Sequence, residues 1–324
     1  MFWWWSRHPL AFVLWPFGLL FRGVAGLRRI AYRRGWLARQ RLSVPVVVVG
    51  NLSVGGSGKT PLVIALVARL REAGYRPGVV SRGYGGRSHP GPRRVAPDSD
   101  PTELGDEPVL IARRAGCPVV VDWDRPQAAR AALALGCDLI LSDDGLQHYA
   151  LDRTLEIVVI DGRRRFGNGW CLPAGPLREP PSRLRGVDLV IVNGPDQDTL
   201  RPGEYGMRLL SGAAVNLLDP QQTRPLAHWR GHTVHAVAGI GDPERFFAGL
   251  RDAGIRVLAH PKPDHHRYRA HDLRFADPYP VLLTEKDAVK CRAFASKACW
   301  MVPVTAEPEH GFRAALLRAL DDSR

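Results

Sequence analysis

The sequence predicts an α/β protein: a P-loop NTPase-like parallel-sheet domain, a smaller C-terminal α/β domain and an N-terminal membrane-associated helix. Three observations predict it. Apolar strand-like runs (VVVVG, PGVVS, PVVV, LILS, EIVVID and DLVIVN) alternate with helical stretches over residues 46–193. Such alternation gives a parallel sheet with helices on both faces. A glycine-rich turn, Gly50–Gly58, joins the first strand of the series to its first helix. After shorter pieces over residues 197–225, a second alternation begins with TVHAVAGIG, IRVLAH, PVLLTEKD and WMVPV. The expected organisation is an anchor over 1–41, a P-loop domain over 42–205 and a C-terminal domain with its linker over 206–324. The active site is expected in the cleft between the two domains.

The chain has 324 residues, and its 45 Lys+Arg against 32 Asp+Glu give a net charge of +13. This excess implies an anionic partner. Residues 1–41 carry eight Arg (Arg7, Arg22, Arg28, Arg29, Arg33, Arg34, Arg39, Arg41) and no Asp or Glu. They also hold Trp3, Trp4, Trp5, Trp15 and Trp36. The rest of the chain is only mildly basic, so the charge points to anionic lipid rather than nucleic acid. Pro9–Phe21 is an uncharged run of 13 residues, interrupted by Pro16 and Gly18. It is short of the roughly 18–20 residues of a spanning helix. Indole rings favour the headgroup region and Arg pairs with lipid phosphate, so an interfacial anchor is expected. A short spanning helix with snorkelling Arg7 and Arg22, or a cleaved signal peptide, are the alternatives. The five Cys are odd in number, widely spaced and lack a C-x-x-C pair, which argues against a disulfide framework and a zinc ribbon and fits a reducing compartment.

GNLSVGGSGKTP, Gly50–Pro61, follows a strand and precedes the apolar-periodic LVIALVARLREAG, Leu62–Gly74. That is the context of a P-loop, whose backbone N–H groups wrap phosphates. Ser53, Val54, Gly55, Gly56, Ser57, Gly58, Lys59 and Thr60 are the candidate nucleotide-binding residues. Lys59 would reach the β- and γ-phosphates and Thr60 would hold Mg²⁺. Ser53 stands where the general pattern has glycine. The strand CDLILS ends at Asp143 and Asp144, beside the loop in this architecture, and one of the pair would contact Mg²⁺. Neither TEKD at Thr284–Asp287 nor NGPD at Asn193–Asp196 is the N-K-x-D element of guanine-specific GTPases. An ATP-dependent kinase or synthetase is the leading class.

GNLSVGGSGKTP, SRGYGG (Ser81–Gly86), LGDEP (Leu104–Pro108), LSDDGLQH (Leu141–His148), LPAGPLRE (Leu172–Glu179), PDHHRY (Pro263–Tyr268) and LTEKDAVK (Leu283–Lys290) occur in this order. Together they resemble the tetraacyldisaccharide 4′-kinase family, the lipid A 4′-kinases of Gram-negative bacteria, from the anchor to about Lys290. Ser53 is no departure from that family's loop. The resemblance implies ATP- and Mg²⁺-dependent phosphorylation of the 4′-hydroxyl of an acylated glucosamine disaccharide 1-phosphate. The site of action would be the cytoplasmic face of the inner membrane, with the enzyme held there by its N-terminus. A monomer is expected.

The resemblance also implies an Asp–His pair. Asp106 is the candidate base or orienter of the hydroxyl, and an ordinary carboxylate is weak in that role unless a neighbour raises its pKa or shares the proton. His265 is the candidate partner, with His266 as its alternative and Asp264 as a group that could fix the tautomer. Helix capping is the other reading of Asp106. A metal cluster of His260, His265, His266 and His271 is a rival, but their spacing matches no closed zinc set. Arg82 and Tyr84 could meet the sugar or its phosphate. Arg178 and Glu179 could position substrate or nucleotide, and Glu285, Lys286 and Asp287 could face the nucleotide. Arg163–Arg165 reads as a solvated or lipid-facing patch. Two other functions compete: a membrane-bound regulatory or metallochaperone ATPase, and a nucleic-acid-dependent ATPase suggested by charge alone.

Overall fold

The computed structural model describes residues 2–6, 8–87, 90–194 and 200–322. Arg7 of the anchor and Asp196 of the NGPD segment lie outside the described residues, as does the side chain of Trp3.

Helices run over α1 Pro9–Arg33, α2 Lys59–Glu72, α3 Pro101–Leu104, α4 Asp106–Ala115, α5 Arg125–Ala134, α6 Pro243–Asp252, α7 Glu285–Cys291 and α8 His310–Asp321. Strands β1–β8 are Val46–Gly50, Pro77–Ser81, Arg93–Val95, Val119–Val121, Leu139–Asp143, Leu155–Asp161, Leu189–Asn193 and Glu204–Ser211. Strands β9–β15 are Ala214–Asn216, Thr223–Arg224, Thr233–Ala238, Arg256–Pro261, Val281–Thr284, Cys299–Val302 and Val304–Pro308.

Nine strands form the larger sheet in the order β15-β8-β7-β6-β1-β5-β2-β4-β3. It is parallel except at its two edges, where β15 and β3 pair antiparallel with β8 and β4. The first strand shows why the sequence reads as an unbroken apolar run. Val47 and Val49 face one core with Leu62, Val63 and Leu66 of α2. Val46 and Val48 face the other core with Ala128, Ala129 and Ala132 of α5. A strand covered on both faces has no polar side to alternate with.

The smaller sheet runs β10-β9-β14-β13-β11-β12. The expected domain boundary at 205/206 therefore needs correcting, because it falls inside β8 of the larger sheet. The chain also returns to that sheet at its end. Ala306 of β15 and Phe312, Leu316 and Leu320 of α8 are buried in the same core as α2. A C-terminal amphipathic helix finds its partner where apolar surface is uncovered, regardless of chain order.

Helix α1 continues well past the expected break. Pro16 lies inside it. Over its 25 residues it is long and apolar enough, by length and composition, to cross a membrane. One face docks on the protein. Ala11 is buried, and a Cβ at Gly18 would come within 2.9 Å of the Cys171 carbonyl oxygen. Phe12 meets Trp170 edge-on with ring centroids 5.0 Å apart. The opposite face leaves Val13, Phe17, Leu20, Val24 and Leu27 exposed. Such an apolar stripe marks a membrane or protein contact.

Candidate active site

Strand β1 lies between β5 and β6, so Val49 sits beside Asp143 and Gly50 beside Val158. The segment leaving β1 therefore emerges next to the carboxylates that end β5. Gly55 and Gly58 take positive φ of 102° and 92°, which L side chains rarely adopt. Gly58 caps α2 without any side-chain hydrogen bond. The first N–H groups of α2 thus lack side-chain partners and suit an anion. Buried Asn51 braces the turn, donating to the Gly55 carbonyl at 3.4 Å and the Ser57 hydroxyl at 3.3 Å. From the far side, Asn193 Nδ2 donates to the Ser57 carbonyl at 2.9 Å.

Val54–Thr60 line a cleft of about 500 Å³ together with Tyr84, Glu107, Asp144, Arg178, Asp264, His265 and Lys286. Lys59 Nζ is 3.4 Å from Asp144 Oδ1, and Arg178 Nη1 donates to Asp144 Oδ2 at 3.0 Å. Burial opposes ionisation of Asp144, but Lys59 and Arg178 outweigh it and hold the carboxyl below its usual range. Asp143 differs. It is fully buried, and neither carboxylate oxygen has a hydrogen-bond partner. Burial, with Glu107 and Asp144 nearby, pushes its pKa up. An orphaned carboxylate beside a phosphate loop fits a hard cation that takes its other ligands from phosphate and water. Among the described residues no three His, Cys, Asp or Glu side chains form a closed metal set. That excludes the four-histidine cluster and is compatible with a shared Mg²⁺ site.

The facing wall is built by both units, with Asp264, His265 and Lys286 from the smaller and Tyr84 and Glu107 from the larger. His265, with φ of 58°, places Nδ1 3.1 Å from Asp106 Oδ2, although the two residues are 159 apart in sequence. Asp106 is the first residue of α4, with Gly105 as its cap. Burial favours the neutral acid, but the His265 hydrogen bond and the charges of Lys286 and Lys290 win, leaving Asp106 well below the usual range. Burial is the largest single influence on His265 and lowers its pKa, but the hydrogen bond to Asp106 and the charges of Asp106 and Asp264 together outweigh it, and the net shift is upward. The carboxylate is thus not made a stronger base by a raised pKa. It is ionised and shares a proton with its neighbour. Asp264 does not fix the His265 tautomer: it accepts from the His265 backbone N–H at 3.1 Å, and Asp106 takes Nδ1. His266 turns away to Asp272, 3.3 Å from its Nε2.

Comparison with known proteins decides the family. The family model for tetraacyldisaccharide-1-P 4′-kinase matches residues 10–321. A tetraacyldisaccharide 4′-kinase of Alkalilimnicola ehrlichii is 55% identical over 98% of this chain and 95% of its own. That of Nitrosococcus oceani is 51% identical over 99% of this chain and 94% of its own.

The chain belongs to the tetraacyldisaccharide 4′-kinase family.

A crystal structure of LpxK from Aquifex aeolicus in complex with ATP has a TM-score of 0.79 at 29% identity, covering 96% of this chain and 99% of that one. Within this family fold, the remaining sequence candidates separate. Tyr84 is exposed at the cleft, its ring edge-on to His265 at 4.9 Å. Arg82 stacks on Trp123 at 3.7 Å and does not line the main cleft. Glu179 is buried and accepts from Tyr149 at 2.7 Å and Gln147 at 2.9 Å, so it braces the loop rather than facing the cleft. Ser53 pairs with Leu177, strapping the phosphate loop to the Arg178 loop instead of lining the cleft. Glu285 is bound to Arg114 at 2.6 Å, and buried Asp287 accepts from the Gly239 N–H at 2.8 Å. The expected patch Arg163–Arg165 is corrected at two positions. Arg164 binds Asp242 at 2.9 Å and Arg165 binds Glu204 at 2.6 Å, so they tie elements together.

Sequence reasoning missed Arg125, Glu107 and Lys290. Buried Arg125 donates to the Asp143 carbonyl at 3.1 Å, and Lys290 Nζ lies 3.4 Å from Asp106 Oδ2. Lys286 and Lys290 stand four apart in a helix start, and only that spacing hinted that both face one way.

Proposed function

We propose that the chain is an ATP-dependent kinase that phosphorylates the 4′-hydroxyl of a tetraacyldisaccharide 1-phosphate in lipid A biosynthesis. One observation carries the reading: a single cleft has a phosphate loop on one wall and a histidine backed by a buried carboxylate on the other. Family membership and the ATP-bound structural relative support it.

In this reading the N–H groups of Gly55–Thr60 and the Lys59 ammonium hold the triphosphate. Thr60 and Asp143 hold Mg²⁺, with Asp144 kept beside them by Lys59 and Arg178. When bound, Mg²⁺ neutralises charge on the β- and γ-phosphate oxygens. The transition state of phosphoryl transfer is loose, so the attacking hydroxyl loses its proton late. A low-pKa carboxylate then suffices: Asp106 orients the hydroxyl and accepts its proton, while His265 donates Nδ1–H to it and holds it in place. Tyr84 would pack against the sugar.

The smaller unit closes on the larger to complete the site, since Asp106 and His265 belong to different units. Gly241 lies against Gly55 and Gly56, where any side chain would collide with the Gly56 N–H. Closure would exclude water and limit hydrolysis of ATP. The exposed face of α1 lies in the cytoplasmic leaflet, where an acylated substrate stays, and the arginines after it meet lipid phosphate.

A radiolabelled-ATP assay with membrane lipid tests the reading. Transfer of γ-label to a glycolipid supports it. Release of free phosphate alone, or dependence on nucleic acid, defeats it.

A further inference from the structure

Lys286 is the second residue of α7, whose start is set by Thr284 accepting from the Asp287 N–H at 3.2 Å. The helix carries it from the smaller unit to the first turn of α4 in the larger. There its ammonium meets three groups: Glu107 Oε1 at 2.9 Å, Asp264 Oδ1 at 3.3 Å and His265 Nε2 at 3.5 Å. An ammonium has three donors and no acceptor, so these contacts use it fully. Glu107 is the neighbour of Asp106, and Asp264 is the neighbour of His265. One cation therefore ties both sides of the Asp–His pair, from residues adjacent in sequence to each member.

We propose that Lys286 is a positioning residue for phosphoryl transfer: its ammonium, held by Glu107 and Asp264, faces His265 Nε2, opposes protonation there and so directs the Nδ1–H to Asp106. The proposal rests on the Asp106–His265 reading above. The consequence is electrostatic as well as geometric. His265 is faced by Asp106 and Glu107 on α4, Asp264 on its own loop, and Lys286 on α7, with Lys290 reaching Asp106 from the next turn. Asp106 favours the imidazolium and Lys286 opposes it. Burial works against the charge of Lys286, but Glu107, Asp106 and Asp264 outweigh it and raise its pKa, so it stays an ammonium. Without that charge His265 would take a proton at Nε2 at higher pH, and the imidazolium would bind Asp106 so tightly that the carboxylate could no longer accept from the sugar hydroxyl.

The test uses the full-length protein in detergent micelles with ¹⁵N-labelled histidine, the His265 signals being identified by their loss in His265→Gln. In the wild type, the neutral ring, seen above its protonation midpoint, is expected as the Nδ1–H tautomer. In Lys286→Met, the His265 protonation midpoint should rise by about one pH unit, the size expected for removal of a like charge at this range. Lys286→Arg should restore it. The acid limb of the kcat profile should move up by the same amount, and KM for ATP should stay within about twofold. Lys286→Gln serves if the Met variant does not fold. An unmoved midpoint, or a kcat lowered equally at every pH, overturns the proposal. Near wild-type turnover in Asp106→Ala overturns the Asp–His reading itself, and the proposal with it. An unmoved midpoint while Asp106→Ala is inactive overturns the positioning role alone.

Discussion

The two walls of the cleft are finished to different degrees. On the phosphate-loop wall, both oxygens of Asp143 lack hydrogen-bond partners, and the start of α2 has no side-chain cap. On the facing wall the charges are paired with one another: Asp106 has His265 and Lys290, and Lys286 has Glu107, Asp264 and His265, although Lys290 Nζ makes ion pairs without a hydrogen bond. Buried polar groups are normally satisfied, so a wall of orphans is a wall that awaits a ligand. A wall of mutually paired charges is instead pre-organised and needs little rearrangement when the ligand arrives. The difference fits the proposal that the first binds phosphate and cation and the second orients the acceptor.

That contrast can be broken or sharpened by substitution. The largest effect is expected from Asp106→Ala, which should lower kcat by on the order of 10²–10⁴-fold and leave the KM for ATP nearly unchanged. A large rise in KM instead would mean that the wall of paired charges binds nucleotide. Lys59→Ala should cost on the order of 10²–10³-fold in kcat/KM, with weakened nucleotide binding in a direct titration. Arg178→Gln removes the bond that holds Asp144 Oδ2. It should lower kcat/KM by roughly tenfold, mostly at limiting Mg²⁺, as loss of one charge-assisted hydrogen bond implies. Leu20→Asp, on the exposed face of α1, should reduce flotation with anionic liposomes while soluble-nucleotide binding persists. Unchanged flotation would remove the interfacial reading of that face.

The smallest effect concerns stability. Burial, with Arg125 and Arg82 nearby, lowers the His148 pKa from 6.5 to about 3. The unfolded chain therefore binds a proton that the folded chain refuses, and stability falls as pH drops from about 6.5 toward 3. His148→Gln should flatten that fall by on the order of 1–2 kcal/mol, read from denaturant midpoints at pH 7 and pH 4.5. No change in slope would show that His148 has an alternative conformation that admits the proton.

Much of the first wall was legible because its signal is contiguous. A strand, two positive-φ glycines, Lys59 and Thr60 lie within fifteen residues, and backbone sterics alone require glycine at Gly55 and Gly58. Asp143 and Asp144 were legible as the tip of an apolar strand. The family resemblance supplied Asp106 and His265. Arg125, Glu107 and Lys290 were not legible, because a charged residue in an amphipathic helix looks the same whether it meets water or a partner. Arg164 and Arg165 were misread for the same reason, and Glu179 looked like a site residue although the fold encloses it.

The sequence by itself determined the alternation of strands and helices, the phosphate loop, the basic and aromatic N-terminus and the family. These depend on local periodicity, backbone sterics and composition, which no distant residue can alter. The tertiary structure alone decided where the units divide, that the last strand and helix return to the first sheet, which of two adjacent histidines meets Asp106, and that Lys286 ties Glu107 to Asp264 beside that pair. Each of those depends on pairing across a long stretch of chain. Such pairing is chosen by burial and by the cost of leaving a charge unpaired, and neither quantity exists until the chain is folded.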